Sequence, residues 1–203
     1  MRSISLALAL GLAWGALAQE PKRDAVEPGK PAPDFTLVDT EGKEHRLSDL
    51  KGKVVVLEWF NPDCPYVVKH HQRHSTMRDT AARFADQGVV WLAINSGAEG
   101  MEGAGSGRER NQRAKEEWKI PWPILLDPDG AVGKAYRARS TPTMVVIDRE
   151  GKVAYMGAID DDPTTKTPGK TNYVARAIEA LLAGEPVPEP TRTKAYGCGV
   201  KYR

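Results

Sequence analysis

Short apolar runs alternate along this chain with stretches whose apolar residues recur at helical spacing. Residues 53–60 (KVVVLEWF) form the clearest run, β-branched and continuous, as expected for a central strand covered on both faces. Residues 89–94 read as a second buried strand. Residues 122–126 read as a third, whose Pro123 suggests a sheet edge. Residues 144–148 and 153–156 flank a turn at 149–152 and predict a hairpin. Near the start, 35–38 alternates like a short strand, 39–43 carries a turn, and 47–50 predicts a single helical turn ending at Gly52. Asn61-Pro62-Asp63 breaks the first long strand, and a helix is predicted to start at Cys64-Pro65, because proline fits the first turn of a helix. It runs to 86–87, with Gly88 as its stop. A charged helix comes next at 108–119, then a short one at 131–137, and a last one whose Ala175, Ile178, Leu181 and Leu182 share a face before Gly184. Strands alternating with helices, then a hairpin and a helix, argue for an α/β layer fold in one domain. The glycine-rich loop at 97–107 lacks the phosphate-loop pattern and opens no Gly-Lys-Ser/Thr helix, which excludes nucleotide binding of that kind.

The ends of the chain change this picture. Residues 1–18 combine the positive start Met1-Arg2-Ser3, an apolar run from Ile4 to Leu12 and the small-x-small pattern Ala16-Leu17-Ala18, so they read as a signal peptide to be set aside from the fold. The run is shorter than the roughly 20 residues of a membrane span. Export without a membrane anchor is the expectation. Residues 19–30 read as a flexible lead-in, 31–184 as the folded domain, and 185–203 as an extended, Pro-rich C-terminal tail. The formal charge of +2 falls to +1 with Arg2 removed, acids and bases are mixed along the chain, and no aromatic-basic patch points to nucleic acid.

Cys64 and Cys198 carry the candidate chemistry. Cys64 comes after a buried strand and a tight turn and opens a helix, which places its sulfur at the carboxyl end of the sheet, where α/β proteins put their sites. The free N–H groups and dipole of a helix start favour an anion there, hence the thiolate that attacks disulfides or peroxides. Cys198 lies between two glycines near the C-terminus and can serve as a resolving thiol. The competing reading is a permanent Cys64–Cys198 disulfide, which would close a loop of roughly 130 residues and contribute up to about 5 kcal/mol. His70, His71 and His74 lie just after Cys64, and Val67, His70, His74, Met77, Ala81 and Phe84 share one helical stripe. That stripe turns His70 and His74 toward the core and His71 toward its edge. No metal or cofactor is assigned, although copper held by Cys64 and a helix histidine is the chemical alternative. Asp160-Asp161-Asp162 reads as a solvated turn, and Trp91, Trp118 and Trp122 as core.

Residues 53–60, Cys64-Pro65, Ser140-Thr141-Pro142-Thr143 and the turn at 147–151 together resemble the thioredoxin superfamily. The stretch 29–37 (GKPAPDFTL), with Asn61-Pro62-Asp63-Cys64-Pro65-Tyr66-Val67, Gly157-Ala158-Ile159-Asp160-Asp161 and the tail motif from Tyr196 to Tyr202, resembles its peroxiredoxin-like redoxin group. The resemblance implies a thioredoxin-like α/β fold, with a central mixed sheet flanked by helices. It also implies a cis-proline at Thr141-Pro142 beside the nucleophile, with the Thr141 backbone open to a substrate strand. Trp59 then supports the site, Asn61 can donate a hydrogen bond, and Arg139 can approach the thiolate. Three departures stand out: Val67 occupies the second-cysteine position of a dithiol site, Asn61 stands where peroxiredoxins carry Thr or Ser, and Leu57 where they carry Pro. The implied activity is that of a thiol oxidoreductase or peroxiredoxin-like antioxidant. Its substrate is a thiol or disulfide protein or a peroxide, and an external thiol reductant resets it. A non-catalytic thioredoxin-fold protein that binds copper or a partner polypeptide is the alternative.

Overall fold

The computed structural model describes residues 26–203; the predicted signal peptide and most of the lead-in lie outside the described residues. The strands are β1 Thr36–Asp39, β2 Glu44–Arg46, β3 Val55–Trp59, β4 Val90–Asn95, β5 Ile124–Leu126, β6 Ser140–Thr141, β7 Met144–Ile147, β8 Val153–Gly157 and β9 Cys198–Gly199. Seven of them form a central mixed sheet in the order β2-β1-β5-β4-β3-β7-β8, and β6 pairs with β9 in a separate two-stranded ladder. β3, β4 and β5 run parallel, and the hairpins β1–β2 and β7–β8 extend the sheet antiparallel at its two sides. Pro123 therefore does not mark an edge. It lies just before β5, where its carbonyl accepts from Ala93 N–H at 3.1 Å, and β1 covers the other side of that strand. The strand β2 falls beyond the turn that the sequence predicts.

Alternation along the strands sorts the core onto two faces. Val55, Leu57 and Trp59 join Leu92, Ile94, Tyr136 and Phe35 on one face; Val56 and Phe60 join Cys64, Val67, Met77, Trp118, Val174 and Ile178 on the other. The helices are α1 Pro65–Val68, α2 Thr76–Phe84, α3 Arg108–Glu117, α4 Ala131–Ala135 and α5 Tyr173–Ala183. Asn172 caps α5 by accepting from Ala175 N–H at 2.9 Å. The part of the lead-in that is described is not free: Val26 is buried, Gly29 N–H bonds the Val153 carbonyl, and the Lys30 carbonyl accepts from Val153 N–H.

The helix predicted over 64–87 is interrupted. Between α1 and α2 the chain makes a π-helical turn, Lys69–Arg73, in which His74 N–H reaches five residues back to the Lys69 carbonyl at 3.1 Å, and Ser75 comes next with a left-handed φ of 54°. The wider turn inserts a residue and rotates the rest of the helix about its axis. His71 is consequently buried, whereas His74 is only partly covered and bonds the Lys166 carbonyl at 2.7 Å, a correction to the stripe read from sequence. Buried His71 Nε2 bonds Glu58 Oε1 at 2.6 Å, and Trp91 Nε1 donates to Glu58 Oε2 at 3.0 Å. Glu58 sits in the middle of β3 with no exposure, so these two partners are what make a charge there tolerable. Replacing His71 by alanine is expected to destabilise the fold by about 3–5 kcal/mol through the unpaired Glu58. His74→Ala should cost roughly 0.5 kcal/mol. Urea denaturation of the two variants beside the unaltered chain measures the difference.

Candidate functional site

Cys64 is the N-cap of α1 and lies at the carboxyl end of β3, as its strand–turn–helix context requires. Pro65 opens the helix at the first position, where no N–H is needed. Cys64 is only 1% exposed, and its thiol donates to the Thr141 carbonyl at 3.0 Å. The Thr141–Pro142 peptide is cis. Thr141 also lies directly opposite Cys198 in the β6–β9 ladder. The chain's own tail thus runs along the backbone edge where a substrate strand is expected.

Cys198 is half-buried, and both cysteines are free thiols. The Cys198 thiol is pushed up to about 12 from its ordinary 9.0, first by burial, then by the neighbouring Cys64 side chain. Cys198 therefore keeps its proton through neutral pH and acts as a thiol rather than a competing thiolate. Gly197 is what permits this approach. A Cβ there would stand 1.9 Å from the Thr141 carbonyl oxygen, and its φ of +139° is one that side chains rarely adopt.

The remaining expected site residues are dispersed. Asn61 Nδ2 donates to the Gly103 carbonyl at 2.9 Å and its Oδ1 accepts from Asp63 N–H at 2.8 Å. The amide holds the strand-to-helix turn and makes no hydrogen bond to the thiol. Arg139 is exposed and beside Arg137, Arg192 and Lys194 in a groove of about 480 Å³; its carbonyl, not its guanidinium, serves the site by accepting from Val200 N–H at 3.1 Å. Trp59 lies on the opposite face from Cys64, packed on Tyr136 with ring centroids 5.2 Å apart and bonded to Ser96 Oγ at 3.2 Å. It supports the sheet from behind rather than flanking the sulfur. Asp63 is paired with Arg110 at 2.8 Å and half-exposed, so its charge is partly neutralised beside Cys64.

Four residues not assigned from the sequence surround the cysteine pair. Asp160 is 2% exposed, which corrects the reading of the acidic triplet as solvated: it accepts from Asp162 N–H, Gly169 N–H and the Tyr196 hydroxyl. Tyr196 OH also bonds His70 Nε2 at 3.1 Å. Burial pulls His70 down to about 4, so it is neutral. Lys69, also buried, donates to the carbonyls of Asp162 and Thr164 at 2.7 and 2.8 Å and lies 5.2 Å from the centre of the Tyr196 ring. The signal for this cluster was present in the two motifs around Asp160 and Tyr196, but only the fold joins them. Among the described residues, no group of three His, Cys, Asp or Glu side chains is arranged to hold a metal ion.

The fold and a helix-capping cysteine beside a Thr-Pro turn define a thioredoxin-fold protein. Residues 27–174 match the Redoxin family, and the chain belongs to that family, within the thioredoxin superfamily of oxidoreductases. It is 34% identical over 133 residues to the thiol-disulfide oxidoreductase ResA of Geobacillus thermodenitrificans, covering 65% of this chain and 70% of that protein. An uncharacterized conserved protein from Geobacillus kaustophilus has a similar structure, with a TM-score of 0.76 and 33% identity over 89% of this chain and 94% of that one. The exposed lipoprotein thioredoxin of Streptococcus pneumoniae superposes with a TM-score of 0.53 at 29% identity, over 75% and 99% of the two chains.

The raised Cys198 thiol has a consequence for stability. A thiol whose folded value lies above its unfolded one stabilises the protonated folded state; that contribution is complete below pH 9.0 and is lost as pH rises toward 12. The denaturation midpoint of the reduced protein is expected to fall more steeply over that window than that of Cys198→Ser, as followed by Trp fluorescence.

Proposed function

We propose that the chain is an exported thiol–disulfide oxidoreductase that cycles between a Cys64/Cys198 dithiol and a Cys64–Cys198 disulfide. The observation that carries this reading is that Thr141, whose carbonyl accepts the Cys64 thiol at 3.0 Å, lies directly across the β6–β9 ladder from Cys198. In the first step the Cys64 thiolate attacks a disulfide of a partner protein; a sulfur–sulfur bond forms to Cys64, the partner's bond breaks, and one partner thiolate leaves. Cys198 then gives up its proton and attacks the Cys64 sulfur, releasing the second partner thiol. The partner is reduced by two electrons and the cysteine pair is oxidised by two. An external thiol reductant reverses the pair's oxidation by the same exchange.

Each remaining residue has a part in this reading. Pro65 opens the helix behind the nucleophile, Thr141 and Pro142 carry the docking edge, Asn61 shapes the turn and Trp59 buttresses the sheet. A disulfide is favoured over a hydroperoxide as electron acceptor, because Asn61 is committed to Gly103 and Asp63 and Arg139 is exposed in the groove with Arg137 and Arg192 and makes no bond at the thiol. The similarity to ResA supports the same substrate class. Export is supported by the leader pattern of residues 1–18 and by the likeness to the pneumococcal exposed lipoprotein.

Insulin, whose disulfides precipitate its chains when reduced, serves as the probe. With a dithiol as reductant, the protein is expected to accelerate precipitation, and Cys64→Ser to return it to background. Cys198→Ser should accumulate a mixed disulfide at Cys64 visible by intact mass. If Cys64→Ser keeps the activity, or if mild oxidation never yields a Cys64–Cys198 bond, the reading fails.

A further inference from the structure

The tail is fastened on both sides of Cys198. Before it, Thr193 N–H bonds the Met156 carbonyl at 3.0 Å and Thr193 Oγ1 meets Tyr155 OH at 2.6 Å. After it, the Lys201 carbonyl accepts from Ala98 N–H at 2.8 Å and Tyr202 OH donates to the Ala138 carbonyl at 2.6 Å. Residues 193–202 therefore lie as a strap across β6 and over Cys64. With the strap down, Cys64 is closed to a partner and Thr141 is already paired. With the strap up, the docking edge is open but the resolving thiol is gone. Function needs both states, and the residue that holds the strap down sets the balance between them.

Tyr196, two residues before Cys198, is the strap side chain that reaches into the helix opened by Cys64. Its ring lies against Tyr66, with centroids 5.9 Å apart, and under Lys69. Its hydroxyl donates to the Asp160 carboxylate, which leaves the oxygen's lone pair for His70, so the His70 proton is on Nε2. His70 Nδ1 is then a bare acceptor, consistent with its having no partner. Asp160 and His70 are both buried, so lifting the tyrosine would leave a carboxylate oxygen and an imidazole N–H each short of one bond. Both bonds to the hydroxyl exist only when the strap is docked.

We propose that Tyr196 is a positioning residue, a hydroxyl clasp between Asp160 and His70 that pins the C-terminal strap, holds Cys198 on Cys64 and keeps the β6 edge closed to partners. This rests on the two-cysteine reading above and adds its control. The clasp makes opposite demands on the two half-reactions: it slows attack on an outside disulfide and speeds resolution by Cys198.

An aromatic disulfide that releases a coloured thiolate separates the two steps in the reduced full-length protein. Attack by Cys64 releases one thiolate and leaves a mixed disulfide; attack by Cys198 on that sulfur releases the second. In Tyr196→Phe, which keeps the ring and loses the hydroxyl, the first release is expected to quicken and the second to slow, each by about tenfold, the worth of one hydrogen bond to a charged group. Asp160→Asn should move both in the same directions by less, and it keeps the test valid if Tyr196→Phe folds poorly by circular dichroism. Unchanged phases, or two phases shifted in one direction, overturn the clasp. A missing second release in the unaltered protein overturns the two-cysteine cycle instead; the clasp is then judged on the first phase alone, supported by its acceleration in Tyr196→Phe and overturned without it.

Discussion

The backbone of Thr141 is shared. Its carbonyl takes the thiol of Cys64 at 3.0 Å, and the residue lies opposite Cys198 in an antiparallel pair. Nearly every local feature of the site serves to make that double contact possible. Gly197 must lack a side chain, because a Cβ there would collide with that carbonyl. Cys64 must begin a helix at the end of β3, because only there does the sulfur reach across to the loop before β7. Arg139, two residues before Thr141, contributes its carbonyl to the same ladder instead of its charge to the thiol. The arrangement leaves the Cys64 sulfur almost wholly covered, with the tail laid beside it.

Beneath the pair lies an unusual quantity of buried polarity for one face of a small sheet. Glu58, His71, His70, Lys69 and Asp160 are all buried. The charged groups are matched, Glu58 by His71 and Trp91, Lys69 by two carbonyls, and Asp160 by two N–H groups and the tyrosine hydroxyl that His70 also meets, while Nδ1 of each histidine has no partner. The π-helical turn is the local device that brings these partners in. A regular helix would have turned His71 to the edge of the apolar stripe; the extra residue in Lys69–Arg73 swings Lys69, His70 and His71 inward together. Polar networks of this kind specify one arrangement, because any other leaves a charge unpaired. Here the arrangement includes the tail.

The order of the main strands and helices was legible in the sequence, though not the short strands β2, β6 and β9, because apolar runs of strand length and helical stripes are local patterns that burial on both faces of a sheet enforces. The run around β3, the helix start at Cys64, the hairpin of β7 and β8 and the stop at Gly184 all reflect this. Cys64 was legible as a candidate because a cysteine between a strand and a helix start has one chemically meaningful position in such a fold; the Thr141-Pro142 turn beside it was expected only from the resemblance to the thioredoxin superfamily. What the sequence misplaced is also instructive. A π-turn arises from the pull of distant partners on Lys69 and His71, and a periodicity count sees no such pull. Pro123 read as an edge because β1 returns to cover it from far away in the chain. Asp160 read as solvated because the hydroxyl that satisfies it comes from Tyr196, 36 residues on. Residue type and short spacing, then, determined the α/β layering and singled out Cys64 and Cys198 as candidates. Tertiary structure alone decided that Cys198 lies across the ladder from Thr141, that Asn61 and Arg139 make no bond to the sulfur and that the half-buried Tyr196 of the tail bonds Asp160 and His70, since those contacts depend on which distant groups can satisfy one another.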